Sequence, residues 1–240
     1  PQEAFGAPDL RTEPVAKSAG GSRAEAAGLD LDGQVPELVL PAVDVAALLA
    51  EDQSDAIVGE KVLRYGVGRE LFADLSWGRF DTLPDGGLLW SLDVVSRGAL
   101  GVRVHFAELA LPKGAQLICF ALESPTTLAS EVGQIAGPWG ERGPLGDGEL
   151  WTPTRDGERL RVELYVPAES IEALRTGAFV IDGIQHIYRD PVKGIGGPAG
   201  AGSCHNDVAC YAAWANIANA VAGIGVVNSN SLYCTGQLLN

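Results

Sequence analysis

Three of the four cysteines in this 240-residue chain fall near its end, at Cys204, Cys210 and Cys234, and His205 stands beside the first of them. Thiols and an imidazole at such spacing suit metal ligation or disulfide formation. A tetrahedral zinc site draws its four ligands from close pairs, and Cys204, His205 and Cys210 lack a second pair. No metal and no other cofactor is therefore expected. Hydrolysis by an activated serine needs a nucleophile, a base and an acid that orients the base. The histidines are His105, His186 and His205, and no G-D-S-G-G or G-x-S-x-G string occurs. No catalytic residue is expected within this chain, which by itself should not turn over a peptide ester. His105 and His186 fall on strand-like stretches, where a hydrogen-bonded structural histidine is the ordinary case. Cys119 sits in the apolar run Gln116–Ala121 and reads as a buried thiol. The cysteine usage points to an oxidising compartment, hence a secreted protein.

The elements that carry the terminal cysteines are legible. Val221–Val227 is apolar and β-branched, Asn228–Ser231 is turn chemistry, and Leu232-Tyr233-Cys234 resumes the apolar character. Together they predict a β-hairpin. Gly236 has no Cβ, so another chain segment can approach that strand closely. Asp207 suits a turn or cap role.

The strings G-S-C-x-x-D-V-x-C (residues 202–210) and C-T-G-x-L-L-N (residues 234–240), with the hairpin between them, resemble the start of the mature domain of secreted bacterial lysyl-endopeptidase-like serine proteases, a branch of the chymotrypsin-like peptidases. The resemblance implies that residues 203–240 open a trypsin-like double β-barrel, and that the strand holding Cys234 leads toward a loop with the catalytic histidine. It also implies that Cys204, Cys210 and Cys234 each pair with a cysteine beyond Asn240. Gln237 departs from the Ser or Thr usual in that family. Upstream, L-W-S-L-D-V-V-S-R-G-A and L-P-K-G-A-Q-L bear a looser likeness to the pro-regions of the same enzymes.

Residues 191–202 are a linker by composition, rich in Gly and Pro. Exposed Gly-rich segments are where proteases cut. Lys193 is the only Lys or Arg after Arg189, so Lys193-Gly194 is the candidate maturation site if the enzyme processes itself after lysine.

The rest of the chain must support this terminal segment. Residues 1–37 are rich in Ala, Gly, Glu and Pro without a sustained period, and read as a flexible leader. Leu38–Pro41 is a short extended piece, and Val43–Glu51 a short helix ended by Asp52, Ser54 and Asp55. Strands are expected over Lys61–Val67, Leu71–Trp77, Leu88–Val95, Gly101–Phe106, Gln116–Ala121 and Arg159–Val166, with more near Leu150-Trp151 and Ala178–Tyr188. A long loop is expected over residues 133–157, and one helical turn over Ser170–Arg175. Leu88, Trp90, Leu92 and Val94 share one face of their strand, as do Val102, Val104 and Phe106, and Leu160, Val162, Leu164 and Val166. Short alternating strands separated by Gly and Pro predict a jelly-roll-like antiparallel β-sandwich of six to eight strands over residues 38–190.

The net charge of −14, from 17 Lys and Arg against 31 Asp and Glu, disfavours nucleic acid and anionic membranes as partners. No run of eighteen apolar residues is present. The absence of methionine, even at position 1, implies a processed N-terminus. A monomer is expected. Two readings follow: the N-terminal part of a secreted serine endopeptidase precursor, whose substrate is peptide or protein, or a non-catalytic β-sandwich module that binds carbohydrate or protein.

Overall fold

The computed structural model describes residues 22–58, 63–122 and 135–190, together with residue 213 and the strand backbones of 221–226 and 231–237. In chain order the elements are α1 (Arg23–Ala26), β1 (Glu37–Val39), α2 (Val45–Val58), β2 (Leu63–Arg64), β3 (Gly66–Ala73), β4 (Arg79–Thr82), β5 (Leu88–Val95), β6 (Gly101–Ala107) and β7 (Gln116–Ala121). They continue with β8 (Ala136–Trp139), β9 (Leu150–Trp151), β10 (Arg155–Asp156), β11 (Arg159–Val166), β12 (Val180–Ile187), β13 (Val221–Val226) and β14 (Ser231–Gln237).

The alternation read in β5, β6 and β11 sets the core. Trp90, Leu92 and Val94 from β5 meet Val102, Val104 and Phe106 from β6 and Leu160, Val162 and Leu164 from β11 in one buried cluster. Each such side chain withdrawn from water contributes about 1.5–3 kcal/mol. Phe179 stands edge-on to both Trp90 and Phe106, with ring centroids 5.4 and 5.1 Å away. The indole N–H of Trp90 donates to the Leu75 carbonyl at 2.8 Å, so the one polar atom of the ring is satisfied. Gly78 lets the chain cross this indole: a Cβ there would lie 2.3 Å from the ring.

A six-stranded sheet runs β1-β5-β11-β7-β8 with β4 also on β5, and a five-stranded sheet runs β10-β6-β12-β3 with β9 also on β6. The pairs nest. β7 pairs β8, β6 pairs both β9 and β10, β5 pairs β11, and β3 pairs β12. Strands of one long hairpin, folded back and divided between two sheets in this way, make a jelly roll. The β-sandwich expected from the sequence is therefore present, with more strands than the pattern displayed. β9 and β10 are two residues each, too short to show a period. β8 forms within the expected loop, and β1 runs parallel to β5 rather than antiparallel.

The structure departs from the local expectations elsewhere too: the strands expected over Lys61–Val67 and Leu71–Trp77 are β2 and β3, the latter running unbroken over Gly66–Ala73, and Leu75–Trp77 is a 3-10 turn capped by Asp74. The helix α2 runs to Val58, past Asp52 and Ser54; Asp44 caps its start by accepting from the Ala47 amide at 3.0 Å. The expected strand pieces over Ala178–Tyr188 are one strand, β12, with a bulge between Ile181 and Gly183. The stretch from Ser22 onward, read as part of a flexible leader, is folded: Ala24, Leu31 and Val35 pack with Leu83 and Leu89 on the outer face of the six-stranded sheet. That cover buries the side of β5 and β11 expected to face water, including Ser91, Asp93, Arg161 and Glu163.

Candidate functional site

The terminal hairpin forms as an antiparallel pair, β13 with β14, in which Cys234 lies opposite Ile224 and Gly236 opposite Ala222. Its second strand joins the remainder of the molecule through β2, with Ser231 opposite Arg64 and Leu232 opposite Leu63. Two residues of ladder are a slender connection, so the position of β2 must be fixed by other means.

Arg64 provides them. Its Nε donates to Asp52 Oδ1 at 2.8 Å, and its Nη2 donates to Glu51 Oε2 at 3.0 Å and to the Leu48 carbonyl at 3.2 Å. Three acceptors within α2, between Leu48 and Asp52, thus hold one guanidinium. Asp52 is the hub. Its other oxygen accepts from the Tyr188 hydroxyl at 2.8 Å and from Arg189 Nη2 at 2.9 Å, and its side chain is only 9% exposed. Arg64 Nε is also 3.1 Å from the Tyr188 oxygen. Burial pushes the Tyr188 hydroxyl up to about 12, and its hydrogen bond to Asp52 adds to the rise. Burial works against the Arg64 charge, but the hydrogen bonds to Glu51 and Asp52 outweigh it and keep the guanidinium protonated.

The site therefore joins four elements: α2, β2, the residues just past β12 and, through the β2 ladder, the hairpin. It is built to position backbone rather than to do chemistry. Sequence reading missed it because Asp52 looks like a helix stop and Arg64 like the polar half of an alternating strand. The one available signal was an aspartate within a run otherwise suited to helix.

The other candidate residues fall as follows. Lys193, Gly194, Cys204, His205, Asp207 and Cys210 lie outside the described residues, and of Cys234 only the backbone is placed. His105 is gripped from both sides, with Nδ1 2.6 Å from Asp182 and Nε2 3.0 Å from Glu149, and it stacks on Trp151 at 4.5 Å. The bulge in β12 is what turns Asp182 toward it. His186 is fully buried with Nδ1 2.9 Å from the Ser96 hydroxyl. Ser96 is as buried as its partner, so no substrate reaches this pair. Cys119 is a free, buried thiol, and burial pushes it up to about 12, well away from thiolate reactivity. Among the described residues no cluster of His, Cys, Asp or Glu could hold a metal ion.

Residues 39–176, more than half of the chain, match the family model described as the lysyl endopeptidase N-terminal domain. The chain belongs to that family. No curated protein and no solved structure matches the chain. The match begins at the end of β1 and closes with the 3-10 helix at Ala168–Thr176. β12 lies past it, yet this strand is central to its sheet, between β6 and β3. The folded unit built on the lysyl endopeptidase N-terminal domain thus reaches at least Ile187, and the Asp52 hub draws on Tyr188 and Arg189 just beyond.

Proposed function

We propose that this chain is the N-terminal part of a secreted serine endopeptidase precursor, in which the jelly roll is a pro-domain and residues 203–240 begin the catalytic domain. The full-length protein hydrolyses peptide bonds, with cleavage after lysine the specificity that the family name favours. The observation that carries this reading is the joining of two things in one chain. A lysyl endopeptidase N-terminal domain is followed by a hairpin whose C-T-G strand is laddered to β2.

The role assigned to the pro-domain is to hold that first hairpin in place while the catalytic barrel forms, and to be released by a cut in the segment 191–202. Asp52 and Arg64 fix the edge that β14 uses, which supports a scaffolding role. The substrate is a peptide or protein, the compartment extracellular or periplasmic, and the processed enzyme a monomer.

The test begins with the coding sequence downstream of Asn240, where a histidine-cysteine pair soon after the C-T-G motif and a later glycine-flanked serine are expected. Expression of that full precursor should then yield a mature enzyme whose first residue is Gly194. A reading frame without those residues overturns the peptidase reading. A mature enzyme beginning elsewhere overturns the assignment of Lys193-Gly194 alone.

A further inference from the structure

Residues 22–36 form an arm laid over the outer face of the six-stranded sheet, ahead of residue 39, where the match to the family begins. Its contacts are those of a docked piece rather than of a sheet member. Among the described residues its backbone hydrogen bonds stay within the arm, from Ala26 to Ser22, Ala27 to Arg23, Leu29 to Ala24 and Gln34 to Leu31. The first to reach the sheet is at the arm's end, where the Pro36 carbonyl accepts from the Asp93 amide at 3.0 Å. Ala24, Leu31 and Val35 form with Leu83 and Leu89 a cluster separate from the main core. Side chains complete the attachment. Arg23 lies 4.4 Å over the Tyr165 ring and donates to Gln116 Oε1 at 3.0 Å, and the Gln34 carbonyl accepts from Arg79 Nη1 at 3.1 Å.

Beneath the arm lies a carboxyl that the docked state serves poorly. Glu163 is 1% exposed, and neither of its oxygens has a hydrogen-bond partner. The charged groups around it are engaged elsewhere. Arg161, two residues before it on β11, gives Nε and Nη2 to the two oxygens of Asp93 on β5. Arg79 on β4, opposite Ser91, is held by Asp81 and Gln34. Arg23 of α1 is turned to Gln116 and to Tyr165, whose hydroxyl donates to Asp85, and Glu25 of the same turn is exposed. From β7 the residue opposite Glu163 is the uncharged Ile118. Burial accordingly raises the Glu163 pKa, against the smaller opposing effects of Ser22, Arg161 and the backbone of Arg23 and Ala24. With the arm lifted, the same carboxyl meets water and returns to its ordinary range.

We propose that residues 22–36 are a pH-gated cover, whose hold on the outer sheet face depends on a proton at Glu163 and which lifts as that carboxyl ionises while the jelly roll stays folded. Docking takes up a proton, so the hold is complete below the ordinary 4.5 and weakens as pH rises through the docked value. The uncovered face is one that water can satisfy, since Ser91, Asp93, Arg161 and Glu163 alternate along it, as on the solvated side of an antiparallel sheet. Lifting the arm also exposes Leu83 and Leu89. The device is independent of the peptidase reading, because it lies entirely on the jelly roll.

Amide exchange of the whole chain, read by mass spectrometry at pH 5.5 and pH 8 and corrected for the intrinsic rate at each pH, separates the arm from the sheet. Relative to β11, the amides of residues 26–29 should lose protection at least about fivefold at the higher pH. Glu163→Gln should keep them equally protected at both. Leu31→Ser should free the arm at both pH values and leave β11 protected. The proposal is overturned if arm protection in the parent chain is the same at pH 5.5 and pH 8, or if Glu163→Gln shows the same loss. It is equally overturned if β11 loses protection together with the arm, either at pH 8 or in Leu31→Ser, because the arm would then be part of one cooperative unit.

Discussion

Arg161 presents Nε and Nη2 to the two oxygens of Asp93 at 2.7 and 2.9 Å, a bidentate pair spanning neighbouring strands beneath the N-terminal cover. The side chains are 8% and 2% exposed. An ion pair so far from water is held by geometry, because each charge alone would be poorly solvated there. Asp93→Ala should therefore destabilise the fold by about 3–5 kcal/mol, most of it the cost of an uncompensated buried guanidinium. The combined Asp93→Leu and Arg161→Met variant should recover most of that loss. Urea unfolding of both variants checks the contrast, and a double variant as unstable as the single one would refute it.

Asp52 should behave differently, since its partners Arg64 and Arg189 keep about a quarter of their surface in water. Asp52→Asn is expected to cost about 1–3 kcal/mol, and to raise the amide exchange of Ser231 and Leu232 in the hairpin more than that of β5 or β11. Uniform loss of protection across the molecule would show that the hub stabilises the sandwich without positioning β2.

Glu163 gives a pH dependence of opposite sign to the usual carboxylate. Burial raises its pKa above the ordinary 4.5, although the Ser22 hydroxyl, Arg161 and the backbone of Arg23 and Ala24 oppose the shift. Neither Glu163 oxygen has a hydrogen bond of good geometry, nor does the hydroxyl of Ser91 opposite it in the register, so the opposing groups do not offset burial. A carboxyl with a raised folded pKa contributes stability that is complete below pH 4.5 and is lost as pH rises through the folded value. Glu163→Gln should hence raise Tm at pH 7.5, and the advantage over the parent should shrink on acidification toward pH 4.5. An advantage that stays constant between those limits would contradict this.

His186 acts in the opposite direction. Burial holds its pKa below the ordinary 6.5, helped by the nearby Arg69 charge and resisted by Glu158. The neutral ring is the folded form, so its contribution is present above pH 6.5 and lost as pH falls through the depressed folded value. His186→Asn, which keeps a polar group near Ser96, should lower Tm at pH 7.5 and flatten the fall in Tm between pH 6.5 and 5. An unchanged slope would remove His186 as its source.

The Cys119 thiol should resist alkylation by iodoacetamide in the folded protein at pH 8 and react on unfolding, because burial disfavours its thiolate. Peptide mapping by mass spectrometry reads this position separately from the other cysteines. Modification at the rate of an exposed thiol would overturn the buried assignment.

Strand positions in this protein were open to reading from the chain because alternation is a local property. Trp90, Leu92 and Val94 face the core because residues two apart share a side of a strand, and the jelly roll follows once such strands recur between Gly and Pro turns. The terminal hairpin was legible for the same reason, with its turn residues at 228–231 separating two apolar runs. What lies on the second face of a strand is a non-local matter. Ser91, Asp93, Arg161 and Glu163 look like solvated residues until Ala24, Leu31 and Val35 are seen to cover them. Nothing in the leader's composition announces that cover, since its few apolar residues carry no period.

The hub has the same origin. Asp52, Arg64 and Tyr188 are separated by 12 and 124 residues, respectively, on either side of Arg64, and only folding brings these polar groups together in a setting dry enough for each to matter. Sequence alone determined which residues are apolar and where the chain can turn. Tertiary structure decided which polar groups leave water, and therefore which of them hold β2 in place, because solvation depends on neighbours that no local pattern encodes.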